Sequence, residues 1–109
     1  MAVKKELIKK FLKHRLGTSK KWSQHALLKI YEYQTREEQE IQRTHDHNGV
    51  GFTGVDGEIL SSFAEQLKRR GDLSEKQMAI VYKKMPKYWH QVMMISDIPM
   101  LENLVLSSN

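Results

Sequence analysis

Residues 56–85 read DGEILSSFAEQLKRRGDLSEKQMAIVYKKM, and their punctuation decides the fold class. Ile59, Leu60, Phe63, Ala64 and Leu67 recur every three or four positions, the inward stripe of an amphipathic helix. Asp56 is the expected N-cap of that helix. Lys68, Arg69 and Arg70 follow the stripe, and Gly71 supplies the stop, since glycine enters the left-handed conformation without a steric penalty. After the turn Asp72-Leu73, Ser74 and Gln77 stand in capping-box register, where each side chain satisfies a backbone donor at the helix start. Met78, Val81, Tyr82 and Met85 then continue at core spacing.

The flanking sequence keeps the same period. Val3, Leu7, Ile8, Phe11, Leu12 and Leu16 form one apolar stripe with lysines opposite, and Gly17 is the expected stop. Ser19 or Ser23 caps a second helix whose buried face is Trp22, Ala26, Leu27, Ile30 and Tyr31 or Tyr33. Beyond Tyr33 the apolar period lapses. Thr35 with Glu38 offers a recapping point, but continuation in solvent to about Arg43 is expected. Residues 44–55 form the one clear loop, with three glycines and an asparagine, and Phe52 is the expected anchor tucked into the core. Pro86 ends the hairpin's second helix or kinks it into a stretch carrying Trp89, Val92 and Met93. Ser96 or Asp97 caps a last helix carrying Leu101, Leu104 and Val105, with Pro99 in its first turn. No segment sustains the two-residue alternation of a strand. The expected fold is a single all-α domain, residues 1–109, of about five helices. It comprises an N-terminal pair (1–43), the glycine loop (44–55) and C-terminal helices (56–106).

Composition narrows the function. The 109 residues can bury one modest core. No apolar run approaches the roughly 20 residues needed to cross a bilayer, and lysines interrupt the N-terminal stripe too often for a signal peptide. A cytoplasmic protein without a membrane partner is expected. The absence of cysteine removes disulfides, thiolate zinc sites and cysteine nucleophiles together. The net charge of +5 is unevenly distributed. Residues 1–21 carry Lys4, Lys5, Lys9, Lys10, Lys13, Arg15, Lys20 and Lys21 against Glu6, and residues 32–40 carry Glu32, Glu37, Glu38 and Glu40 against Arg36. Residues 65–87 turn basic again. The two basic blocks either form one positive face or are neutralised within the chain by the acidic one.

Several stretches share a distinctive wording. These are His47-Asn48-Gly49-Val50-Gly51-Phe52, Asp56, residues 61–66 (SSFAEQ), Leu73-Ser74-Glu75-Lys76-Gln77 and Lys84-Met85-Pro86-Lys87-Tyr88. With residues 28–35 (LKIYEYQT) before them, they resemble a segment of small bacteriophage and mobile-element proteins, and of stretches beside phage helicase or recombination modules. The resemblance covers residues 27–91. It implies a phage-linked setting near DNA metabolism, in the host cytoplasm, and carries no catalytic residue over.

The hairpin over residues 57–85 has the helix–turn–helix pattern, and its basic residues suit an acidic partner. The expected nucleic-acid-binding residues are Lys68, Arg69, Arg70, Lys76, Lys83, Lys84 and Lys87, with DNA expected ahead of RNA. Tyr82, Tyr88 and Trp89 are candidates to stack on unpaired bases or to pack in the core. The lysines of the first helix suit phosphates or an anionic surface, and equally a solvated face whose aliphatic stems cover the core. The glycine loop lacks the Gly-Lys-Ser/Thr ending of a nucleotide-binding loop and reads as architectural. His45-Asp46-His47 offers metal-ligand chemistry but cannot complete a site alone, so a polar surface loop is the expected reading. No nucleophile triad, catalytic centre, metal or cofactor is expected. The alternative function is an adaptor or inhibitor that grips an acidic protein surface, for example on a nuclease or defence complex. Met93, Met94 and residues 101–106 offer a homodimer seam.

Overall fold

The apolar stripes form helices among the described residues. The computed structural model describes residues 3–44 and 50–107, with side chains at 3–36 and 50–107. The elements are α1 (Lys5–Thr18), α2 (Lys20–Thr44), α3 (Asp56–Arg70), α4 (Glu75–Lys84), α5 (Trp89–Met94) and α6 (Ile98–Ser107). A 3-10 turn, Met85–Tyr88, joins α4 to α5. No strand occurs among the described residues, and the fold is all-α. The hairpin's second helix divides at Pro86, because proline removes one backbone donor and tightens the turn.

Helix α1 lies at the centre. It packs against α2, α4, the 3-10 turn, α5 and α6. Ile8, Leu12 and Leu16, each four residues from the next, are fully buried. Burial of a leucine stabilises by roughly 2 kcal/mol, so this stripe binds the two halves of the chain into one core. Leu27 and Ile30 of α2, Leu60 and Ala64 of α3, Val81 of α4, and Leu101 of α6 complete it. The segment before α1 is held as well: Val3 N–H donates to Glu102 Oε2 on α6 at 2.7 Å.

The elbow between α1 and α2 accounts for its polar groups. The last helix carbonyls would otherwise lack partners. Thr18 Oγ1 donates to His14 O at 2.6 Å, Ser19 N to Arg15 O at 2.8 Å, and the fully buried Ser23 donates its hydroxyl to Leu16 O. Ser19 is the cap of α2, accepting from Trp22 N at 3.3 Å. Gly17 is not the stop that its sequence context suggests: it lies inside α1 with no left-handed φ. It packs beside the 3-10 turn and the end of α4 with room for a Cβ. A Cβ there would stand 3.5 Å from Pro86 Cγ and 3.7 Å from Tyr82 O.

The punctuation of the hairpin follows the sequence. Gly71 is left-handed, with φ 78°, and its N–H donates to Leu67 O. Ser74 and Gln77 form a complete capping box, Ser74 N donating to Gln77 Oε1 at 2.8 Å and Gln77 N to Ser74 Oγ at 3.2 Å. The turn is braced further. Gln66 and Gln77 exchange amide hydrogen bonds at 2.9 and 2.8 Å, while Asp72 accepts from Lys20 at 2.8 Å and from Leu73 N at 2.9 Å. Asp97 caps α6 through Met100 N at 3.1 Å.

The two glycines should respond oppositely to alanine. Gly17→Ala meets only ordinary van der Waals contacts and should stabilise by about 0.5 kcal/mol through helix propensity. Gly71→Ala forces a left-handed alanine and should cost about 1 kcal/mol. Thermal unfolding of both variants checks the pair; a fall in Tm for Gly17→Ala would contradict the contacts described.

Candidate functional site

Asp56 organises the region where the distinctive segments meet. It is the first residue of α3, and the N-cap position belongs to Val55, whose side chain makes no capping bond. Asp56 N and Gly57 N donate to the carbonyls of Thr53 and Gly54 at 3.1 and 3.2 Å. The expectation that Asp56 caps α3 is therefore corrected: its carboxylate turns inward and is only 2% exposed. A charge so deep requires partners. Lys84 Nζ donates to Oδ1 at 3.0 Å, Tyr88 OH donates to Oδ2 at 2.9 Å, and the Lys87 ammonium also closes on Oδ2. The Lys87 hydrogen bond outweighs burial and, with those from Lys84 and Tyr88, holds the carboxyl at about 2, below its usual 3.8.

Residues 51–53 of the glycine loop dock on the same cluster. Tyr88 OH accepts from Thr53 N at 3.1 Å, and Phe52 sets its ring edge-on to Tyr88 with centroids 5.4 Å apart. Gln91 clasps the backbone of Gly51, accepting its N–H at 2.8 Å and donating to its carbonyl at 3.0 Å. Phe52 N donates to Gln34 Oε1 at 2.8 Å. A Cβ on Gly51 would stand 3.2 Å from that oxygen, so a side chain there would push on the Gln34 amide that holds Phe52 N. The N–H groups of Gly51, Phe52 and Thr53 are thus committed within the protein and form no phosphate cradle. Residues 45–49, with His45 and His47, lie outside the described residues. Among the described residues no group of three or more His, Asp or Glu side chains has metal-ligand geometry.

The seven basic residues expected to bind nucleic acid fall into three groups. Lys84 and Lys87 lie on Asp56. Lys68, Arg69 and Arg70 occupy the exposed last turn of α3, where cations oppose the helix dipole. Lys68 also lies 5.8 Å from the centroid of the Tyr31 ring. Lys76 and Lys83 are exposed on α4, seven residues apart and so on one face. At the start of α4, Ser74 and Gln77 spend their side chains on the capping box and on Gln66, leaving Glu75 and Lys76 exposed. Tyr88 is 3% exposed and does not present its ring to a base.

The lysines of α1, which suit phosphates on sequence grounds, meet Trp89 beside this cluster. The ammonium groups of Lys5 and Lys9 lie 6.0 and 5.5 Å from the centroid of the Trp89 ring, and the exposed His90 sets its ring edge-on to Trp89. Lys5, Lys9, Lys13 and Gly17 are spaced by four, and Gly17 abuts Tyr82 and Pro86. The lysine line of α1 therefore runs along the junction of α4, the 3-10 turn and α5. Its spacing was legible in the sequence, whereas its partner Trp89 was not. The side chains of residues 37–40, the acidic block weighed against this face, lie outside the described ones. Among the described residues no helix is long and apolar enough to cross a membrane. No family model, curated protein or solved structure matches this chain.

Asp56→Asn should lower stability by about 2 kcal/mol, the scale of a charge-assisted hydrogen bond lost from a buried site. Because the folded carboxyl titrates near 2 and the unfolded one near 3.8, the contribution is present above about pH 4 and lost as pH falls towards 2. Asp72, held at about 2 chiefly by the Lys20 hydrogen bond, titrates in the same window. Denaturant melts from pH 6 to 2 should therefore show a shallower acid decline for Asp56→Asn than for the wild type; parallel declines would refute the role given to this carboxylate.

Proposed function

We propose that this protein binds nucleic acid through its phosphates, without enzymatic chemistry, along the lysine edge of α1 and the adjoining end of α4. The observation that carries the reading is the convergence of Lys5 and Lys9 on Trp89 beside the packing of Gly17 on Pro86. It sets Lys5, Lys9 and Lys13 beside the segment that holds Lys83, in a chain of net charge +5. Among the described residues none of these four lysines has an ion-pair partner within 4.0 Å. Lysines spaced by four on a helix rise roughly 6 Å apart, so three in line span about 12 Å, a length over which a strand carries three to four charges at one per roughly 3.4 Å.

The reading favours backbone contact over base reading. A recognition helix places free polar side chains at its start, and here Ser74 and Gln77 are already engaged. Lys68, Arg69, Arg70 and Lys76 extend the positive surface at the hairpin turn. Lys84 and Lys87 add less, because Asp56 offsets them. DNA remains the expected partner ahead of RNA, in keeping with the setting near DNA metabolism that the resemblance to phage proteins implies. The alternative, an adaptor or inhibitor that docks on another protein, draws on a different face of the molecule, the groove between α2, α5 and α6.

Changing Lys5, Lys9 and Lys13 together to Gln should weaken binding to a DNA or RNA oligonucleotide at low salt. The plot of log K against log salt should become shallower by about 2 to 3, since each neutralised phosphate contact contributes roughly 0.7–0.9. Lys84→Gln with Lys87→Gln should instead lower Tm while changing that slope little. Fluorescence anisotropy across a salt series measures both, and unchanged affinity and slope in the triple variant would sink the proposal.

A further inference from the structure

A groove of about 540 Å³ lies between α2, α5 and α6, open to solvent on one side. Trp22, Ala26, Val92, Ile95 and Leu101 make its apolar floor and walls. Met100 stands at its lip, 50% exposed. One bank is basic. Lys21, His25 and Lys29 line it from α2, each four residues from the next, and so form a row roughly 12 Å long. Asp97 is the carboxylate among the lining residues, at the α5–α6 junction, and it already accepts from Met100 N at 3.1 Å. Lys29 has a loose neighbour in Glu32, 3.8 Å away, with both side chains about half exposed.

We propose that this groove receives an amphipathic helix of a partner protein, apolar on one face and acidic along the flank that meets α2. The charge pattern selects this occupant. Carboxylates at every fourth position of a bound helix would rise in step with Lys21, His25 and Lys29 over two helical turns. The apolar trough takes the facing side chains, and a methionine lip adapts to their shape. A drug-sized ligand is ordinarily enclosed over most of its surface, whereas this recess is open along one side. Helix α6 of a second copy fits less well, since its one carboxylate, Glu102, already accepts from Val3 N at 2.7 Å. The inference rests on the groove and holds whether or not nucleic acid binds elsewhere.

The test uses the full chain and two synthetic helical peptides. Both carry leucine at positions i, i+3, i+4 and i+7; one carries glutamate along the flank and the other lysine. Fluorescence polarisation should show the acidic peptide binding at least about tenfold more tightly than the basic one. Lys21→Glu combined with Lys29→Glu, both exposed and tolerant of change, should reverse that order. Met100→Glu should weaken the acidic peptide while leaving Tm unchanged. Equal affinities for the two peptides, or indifference to the double charge reversal, would overturn the proposal. So would loss of acidic-peptide binding of the same size in the Lys5→Gln, Lys9→Gln, Lys13→Gln chain, which would mark mere attraction to net charge. Self-association abolished by Met100→Glu would reassign the groove to a second copy. Saturable binding of a long-chain fatty acid with none of the acidic peptide would reassign it to a small amphiphile.

Discussion

One buried carboxylate sets the geometry on which the rest of the structure depends. Asp56 draws Lys84, Lys87 and Tyr88 to the first turn of α3, and their positions, three and four residues apart, put all three on one face of a helical turn. The 3-10 segment that contains Pro86 carries Lys87 and Tyr88, which face Asp56 at the start of α3, and hands over to α5. A buried ion pair is poor evidence of net stabilisation, since desolvation opposes it, but a single partner left behind is costly. What the cluster gives is therefore specificity of arrangement. The start of α3, the glycine loop and the 3-10 turn are fixed relative to one another, and through Gly17 against Pro86 the same turn is seated on α1.

Local signals were legible in the sequence and tertiary ones were not. The helical stripes, the Ser74–Gln77 capping box and the left-handed Gly71 each depend on residues within one turn of each other, and each stands in the structure. The extension of α2 through its polar stretch follows as well, because nothing there penalises a helix. Gly17 and Asp56 went otherwise, for a shared reason. A glycine near a helix end suits either a left-handed stop or a packed position inside the helix, and an aspartate at a helix start suits either a cap or an ion pair. The deciding partners, Pro86 for one and Lys84, Lys87 and Tyr88 for the other, lie far along the chain. Of the glycine loop, residues 50–55 are described, and there Phe52 lies half-buried against the core rather than within it. The hydrogen bonds that hold this stretch, from Gln34, Gln91 and Tyr88, could not be assigned from spacing.

Charge counting overstates how much positive surface is free to bind. Of the basic residues, Lys20 is held by Asp72, and Lys84 and Lys87 by Asp56. Lys68, Arg69 and Arg70 sit where a helix C-terminus itself favours cations. This redistribution moves the weight of the nucleic-acid reading from the hairpin to α1, whose Lys5, Lys9 and Lys13 follow one line. It also weakens the analogy with sequence-reading hairpins, because the polar side chains that open α4 are spent on holding the turn. A surface of lysines beside a partly buried indole suits a flexible, strongly charged chain better than a defined base sequence.

The two candidate surfaces are mechanically joined. Helix α5 presents Trp89 to the lysines of α1 and Val92 to the groove beside α2 and α6, with Ile95 following at its end. Its direction is set by the 3-10 turn before it, and that turn is set by Asp56. Disturbing the clamp through Asp56 or Tyr88 would therefore disturb both surfaces at once, without touching any residue proposed to face a partner. Defects in binding caused by changes at Asp56, Lys84 or Tyr88 must accordingly be read beside unfolding curves. Changes at Lys5, Lys9, Lys21 or Lys29 leave the clamp intact and report on the surfaces themselves.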